Sequence, residues 1–163
     1  MLEIDGRQEV RIRPLGVGDA EAAAALIRLA FSAQSVVTDP PSGALGETTA
    51  SVAAKLVEGG GAGAQSDLGL VGVALWAQQD DALYIGRLSV SPDWRGQGIA
   101  RALVSAAETE ARRRGLRRMT LRVRLALADN QRRFAALGFA PVGQGAHPGY
   151  VEPTFAVMEK RLD

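Results

Sequence analysis

The segment best suited to chemistry is Arg95-Gly96-Gln97-Gly98-Ile99-Ala100, which follows Leu88-Ser89-Val90-Ser91-Pro92-Asp93-Trp94. The apolar run ending at Val90 predicts a strand, the two glycines a tight turn, and the repeat starting at Ile99 an amphipathic helix. Such a turn leaves several backbone N–H groups without intrahelical partners, and the helix dipole adds roughly half a positive charge there. Glycine lets the backbone adopt positive φ and approach a phosphate closely. Arg95 adds a formal charge, so the predicted chemistry is anion binding, with phosphate the natural guest. A plain strand-turn-helix is the alternative that a lone Gly-x-Gly would leave ahead. His147, the single histidine, titrates in the range useful for proton transfer; a merely solvated loop imidazole is its alternative.

Composition narrows the field. The chain has 163 residues and a mass of 17.1 kDa, which predicts one domain over 1–163 with a core large enough to need no staples. The absence of cysteine excludes a disulfide framework, a thiolate zinc site and a cysteine nucleophile. One histidine excludes a multi-histidine metal centre, so no metal is expected. No apolar run approaches the roughly 18 residues a membrane span needs, and the N-terminal stretch carries charges instead of an apolar signal core. A cytoplasmic protein without a membrane partner is the expectation. The net charge of +1 conceals a split: residues 1–81 sum to −6 and residues 82–163 to +7, and 17 of the 19 basic residues are arginine. The second half should attract an anion and the first half tolerate a cation.

The elements that must position these residues follow from periodicity. Val10–Arg13 alternates as a half-buried strand, and Asp19 caps a helix running to about Ala33. Turn residues fill 38–43, and a shorter helix opens at Glu47-Thr48-Thr49 and ends near Glu58. Gly59–Gly63 reads as a flexible loop, with a brief strand near Ala64. Leu70–Ala77 and Ala82–Val90 form a hairpin with a four-residue connection, Gln78–Asp81. A long helix spans about Gly98–Arg114, with Ile99, Leu103, Val104, Ala107 and Ala111 on one face. Met119–Leu125 predicts a strand, Asp129 caps a helix up to Leu137, and two closing strands lie at Phe139–Gln144 and Thr154–Lys160.

The string Leu-x-Val-x-Pro-x-x-Arg-Gly-x-Gly-Ile-Ala closely resembles the coenzyme A signature of the GNAT superfamily of N-acetyltransferases. The core Arg95-x-x-Gly98-x-Ala100 matches that family's pyrophosphate motif at each defined position. It is neither the dinucleotide fingerprint nor a Walker loop, which would need Gly-Lys-Ser/Thr. The order of elements over nearly the whole chain is similar to the GNAT fold, and Asn130–Leu137 with Gly138-Phe139 resembles the family's fourth helix and closing Gly-Phe pair. The stretch from His147 to Met158 resembles one subgroup of small members. The resemblance implies an α/β (α+β) fold: a central mixed β-sheet of six to seven strands, flanked by about four helices and splayed between the fourth and fifth strands. It implies acetyl-CoA as cofactor. The backbone of Leu88 and Val90 would pair with the pantetheine arm, and the N–H groups of Gly96, Gln97, Gly98, Ile99 and Ala100 would hold the pyrophosphate. Arg95 and Gln97 would assist from their side chains. Arg101, Arg132 and Arg133 are candidates for the nucleotide phosphate, with solvation as the alternative for each. Asn130 and Phe134, on the fourth helix, complete the cofactor-binding set.

The resemblance also exposes two departures. Family members often place an acidic tyrosine four residues before the Gly-Phe pair; here that position is Phe134, which has no proton to give. Either water serves or a side chain enters from the C-terminal loop, where Tyr150 is the candidate; a packed aromatic with a solvated hydroxyl is its alternative. A strand glutamate often acts as base, yet Ala82–Val90 carries no carboxylate and the next strand offers Arg122 and Arg124. His147 and Glu47 are the remaining candidates. Glu47 lies where family members line the acceptor pocket; complementing the helix dipole is its other reading.

The leading expectation is an acetyl-CoA-dependent N-acetyltransferase that moves an acetyl group to the amine of a small cationic acceptor by direct transfer in a ternary complex. A non-catalytic CoA-binding sensor or regulatory domain is the alternative that the two departures favour. Arg112–Arg114 with Arg117-Arg118 raises nucleic-acid binding, but a pI near 8.2 argues against a dedicated binder. A monomer or homodimer is expected.

Overall fold

The structure is a computed structural model describing residues 2–4, 8–34 and 36–163. Its strands are β1 (Leu2–Ile4), β2 (Gln8–Pro14), β3 (Gly61–Ser66), β4 (Gly69–Gln79), β5 (Ala82–Val90), β6 (Arg118–Arg124), β7 (Ala140–Gly145) and β8 (Phe155–Arg161). The helices are α1 (Ala20–Ser32), α2 (Thr49–Glu58), α3 (Ile99–Arg113) and α4 (Ala128–Ala136). The sheet runs β1-β2-β3-β4-β5-β6-β8-β7, and every pairing is antiparallel except β5 with β6. Apart from the three-residue β1, which makes the sheet eight-stranded, these agree with the six to seven strands and about four helices expected.

Period-two alternation divides the sheet between two helical layers. Val73 and Leu75 on β4 pack with α1 and α2, whose buried faces include Ile27 and Val52. Ala74 and Trp76 pack on the opposite side with α3, through Ile99, Leu103, Val104, Ala107 and Ala111. Burying each large aliphatic side chain there contributes about 1.5–3 kcal/mol. No described helix is long and apolar enough to cross a membrane.

Three local expectations change. Gly61–Gly63 belongs to β3, because neighbouring elements press on it: a Cβ on Gly63 would stand 2.7 Å from Leu15 and 2.8 Å from Leu70. The hairpin connection is the two-residue turn Asp80-Asp81, with Gln79 opposite Ala82 and Asp80 at φ 55°. Asp129 sits inside the first turn of α4 and pairs with Arg132, and Leu127 occupies the cap position.

The parallel pair creates the main opening. β5 and β6 pair only from Ala82–Tyr84 against Arg118–Thr120. Beyond that point the ladder with β4 slips: Val73 faces Ser89 while Leu75 faces Gly86, so Arg87 and Leu88 bulge opposite Ala74. Arg87 takes φ 53°, unusual for a residue with a Cβ, and such bulges bend a strand and redirect its side chains. The splay lies between the fourth and fifth strands counted from β2, at the carboxyl ends where open α/β sheets hold ligands.

Candidate active site

At the end of β5 the Ser91 N–H is fixed to the Val71 carbonyl at 2.8 Å, and a single helical turn over Pro92–Trp94 leads into the glycines. Gly96 and Gly98 stand at φ 74° and 83°, with no atom within 4 Å of where a Cβ would be. The first intrahelical bond of α3 runs from the Ala102 N–H to the Gly98 carbonyl, 3.0 Å. The N–H groups of Gly98, Ile99, Ala100 and Arg101 therefore precede the ladder, and none has a backbone acceptor among the described residues. The Gln97 side-chain oxygen is buried without a hydrogen-bond partner among the described residues. Open positive-φ glycines and unpaired N–H donors fit a diphosphate; the Gln97 oxygen, an acceptor, contributes nothing to an anion.

The other expected cofactor contacts divide. Leu88 and Val90 lie on the diverging stretch of β5, beyond its last pair with β6. Arg95 is tied elsewhere, its Nη2 donating to the Ala30 carbonyl at 3.0 Å, which anchors the turn to α1. Arg101 is exposed in the first turn of α3, and Arg132 is exposed and paired with Asp129. Asn130 lies in the first turn of α4. Phe134 packs edge-on against Phe139, with centroids 6.0 Å apart. Trp94 is half-buried against the α3-side core.

Glu47 immediately precedes the capping residue of α2, Thr48. Its side chain is 2% exposed and accepts from Ser51 Oγ at 2.6 Å, Arg87 Nε at 2.7 Å and Lys55 Nζ. Burial alone would raise its pKa, but the hydrogen bonds from Lys55, Ser51 and Arg87 prevail and lower it to about 2. A carboxylate so occupied is a weak base at neutral pH, so this geometry favours a positioning role for Glu47. Neither reading from the sequence anticipated its pairing with Arg87.

The C-terminal loop meets the segment after α1. The Tyr150 hydroxyl donates to Asp39 Oδ1, and this bond, more than burial, raises the phenol's pKa above its ordinary value. Arg124 Nη1 donates to the Pro40 carbonyl at 2.6 Å, and its Nη2 to that of Pro41 at 3.3 Å. His147 Nδ1 engages Thr154 Oγ1, and the imidazole stacks edge-on against Phe155 at 5.3 Å. Burial first, then Arg124 and Arg122, lower the His147 pKa, which favours the neutral imidazole. Arg122 lies 4.7 Å from the centroid of the same Phe155 ring.

The sequence reading missed Arg87. Its signal was available, the lone charged residue of the strand Ala82–Val90, but the bulge that aims it is not encoded by periodicity. The pairing of Tyr150 with Asp39 joins residues 111 positions apart and has no local signal. Among the described residues, no group of three or more histidine, cysteine or acidic side chains forms a metal cluster.

Comparison with known proteins adds the lineage. The sequence profile of the Acetyltransferase (GNAT) family matches residues 43–139. No curated protein matches the chain. Among solved structures, the PaiA N-acetyltransferase of Thermoplasma acidophilum in complex with coenzyme A is similar with a TM-score of 0.79 and 17% identity, covering 94% of this chain and 99% of that one. The ribosomal-protein-S18-alanine N-acetyltransferase of Escherichia coli gives 0.72 and 20%, covering 94% of each chain. YncA of Salmonella typhimurium with its cofactor acetyl-CoA gives 0.70 and 22%, covering 95% of each. With a profile spanning more than half of its length, the chain belongs to the GNAT family of acetyltransferases, enzymes that draw their acetyl group from acetyl-CoA.

Proposed function

We propose that the protein transfers an acetyl group directly to the primary amine of a small acceptor seated between the α1–α2 segment and the β7–β8 loop. The supporting observation is the early end of the β5–β6 ladder beside a turn whose N–H groups are unpaired. Acetyl-CoA, when bound, supplies a thioester carbonyl for the amine to attack and a thiolate leaving group. The N–H groups of Gly96 to Ala100 hold its diphosphate, assisted by the Gln97 side chain, while the backbone of Leu88 and Val90 pairs with its arm. Arg101, Asn130 and Phe134 flank the rest.

The acceptor arrives as a cation, because an alkylammonium has a pKa of about 10 and must lose a proton before attack. His147 Nε2 is the base in this reading: burial first, then its arginine neighbours, keep the imidazole neutral, and an Nδ1–H donated to Thr154 Oγ1 orients it. The Tyr150 hydroxyl retains its proton at neutral pH and serves as the acid, in the role that Phe134 is unable to fill. Glu47 holds Arg87 and so braces the β5 bulge.

Thiol release measured across a panel of amines tests this reading, with the thermal shift caused by acetyl-CoA as the binding control. A ligand shift together with amine-dependent thiol release is the expected result. A shift without turnover on any amine would favour the non-catalytic CoA sensor, and no shift at millimolar acetyl-CoA would remove both.

A further inference from the structure

The half-chain charges point to a negative acceptor site, but the side chains that meet there have a different balance. From the acidic half come Glu47 and Asp39; from the basic half come Arg87, Arg122 and Arg124. Glu47 is consumed by Lys55 and Arg87. Asp39 accepts from the neutral hydroxyl of Tyr150. Among the described residues, neither Arg122 nor Arg124 forms an ion pair with a carboxylate: Arg124 bonds only main-chain carbonyls, and Arg122 lies over the Phe155 ring.

The two belong to one surface. Positions 122 and 124 alternate on β6, so both side chains leave the same face of the sheet. Leu121 and Val123, between and beside them, enter the core under α3, which assigns the arginines to the opposite face. Phe155 stands opposite Arg124 in the β6–β8 register and carries both Arg122 and the His147 ring. The Arg124 guanidinium is partly withdrawn from water and hydrogen-bonded only to carbonyl oxygens, so its charge is offset in part, by the nearby Asp39, and not by a direct ion pair. Burial accordingly lowers the pKa of Arg124.

Building on the acetyltransferase reading, we infer that the acceptor carries a carboxylate beside its amine and that Arg122 and Arg124 bind this carboxylate on the splayed face of β6. Guanidinium groups suit a carboxylate by forked, charge-assisted hydrogen bonding. The acceptor class is then the amino acids, in place of simple polyamines: its ammonium end is deprotonated near His147 while its carboxylate end remains on the arginines.

The test compares thiol release with the L-amino acids, their carboxamides, and the polyamines putrescine and spermidine. The expected result is at least tenfold higher kcat/KM for one or more free amino acids than for the matched carboxamide or either polyamine. Arg122→Gln, at an exposed site that leaves the fold intact, should raise the amino-acid KM several-fold without changing the acetyl-CoA thermal shift. Arg124→Gln should do the same more strongly, and its melting temperature reports whether the Pro40-Pro41 contact has been lost. Equal or better use of carboxamides or polyamines, or no use of any amino acid while acetyl-CoA still shifts melting, overturns the inference. Loss of the acetyl-CoA shift in the unmodified protein removes the acetyltransferase reading itself and the inference with it.

Discussion

Arg87 reaches from the β5 bulge to Glu47 at the entry of α2, with Nε 2.7 Å from Oε2. One contact thus joins the distorted strand of the splay to the entry of α2, and the carboxylate is only 2% exposed. Removing it leaves Arg87 and Lys55 facing each other without compensation. Glu47→Ala should cost about 2–4 kcal/mol. Glu47→Gln, which keeps the shape and one acceptor, should cost less. Urea unfolding with an unchanged m-value checks both.

The same carboxylate makes acid stability predictable. Its pKa falls from 4.5 to about 2 on folding. The stability it contributes is therefore complete above pH 4.5 and fades as the pH falls through about 2. Plotting the unfolding free energy of wild type minus Glu47→Gln against pH isolates this group from Glu110 and Asp19, which are lowered as well. The difference should shrink steadily below pH 4.5; a constant difference across that window would show that Glu47 does not ionise as described.

Gly98 offers a cleaner probe of the turn. At φ 83° any side chain is strained, so a single substitution confounds strain with charge. Asparagine and aspartate tolerate this conformation about equally, and a Cβ here meets open space. Gly98→Asn should therefore lose part of the acetyl-CoA thermal shift. Gly98→Asp, which adds a carboxylate among the diphosphate donors, should lose at least ten times more affinity. Equal affinities in the two variants would place the diphosphate elsewhere.

The turn was legible because all of its information is local. Arg95 to Ala100 are consecutive, and glycine spacing with a helix start is enough to predict free N–H groups. The strands and helices were legible by periodicity for the same reason, except where another element overrode it. Gly61–Gly63 resembled a loop because glycine has low strand propensity, yet the close approach of Leu15 and Leu70 admits nothing larger at Gly63. The contacts around the proposed acceptor site were poorly legible because they join residues distant in sequence: Glu47 with Arg87, Asp39 with Tyr150, Arg124 with Pro40. Charge summed by halves of the chain also carries no information on local pairing, which occupies Glu47 with Lys55 and Arg87 and leaves Arg124 on main-chain carbonyls.

Gly145 is a second position where close approach dictates the residue. It faces Phe155 across β7 and β8, and a Cβ would stand 2.4 Å from the ring. Gly145→Ala should push the ring off its seat and disturb both His147 and Arg122, which pack on it. The expected signature is a several-fold rise in acceptor KM with an unchanged acetyl-CoA thermal shift. A variant with unaltered acceptor kinetics would separate the Phe155 platform from acceptor binding.

Tyr150 as acid makes a prediction about pH that simple packing does not. The hydroxyl must be protonated to give its proton away, so kcat should fall on the alkaline side as the phenol ionises. Asp39 raises that pKa, chiefly through the hydrogen bond it accepts. Asp39→Asn removes the negative charge and should move the alkaline limb to lower pH, while Arg124→Gln removes an opposing influence and should move it higher. Tyr150→Phe should lower kcat by about 10²-fold, typical for loss of a positioned acid, and should flatten the limb altogether. If Tyr150→Phe retains both the rate and the limb, the leaving thiolate draws its proton from water and the hydroxyl serves only to hold Asp39 in place.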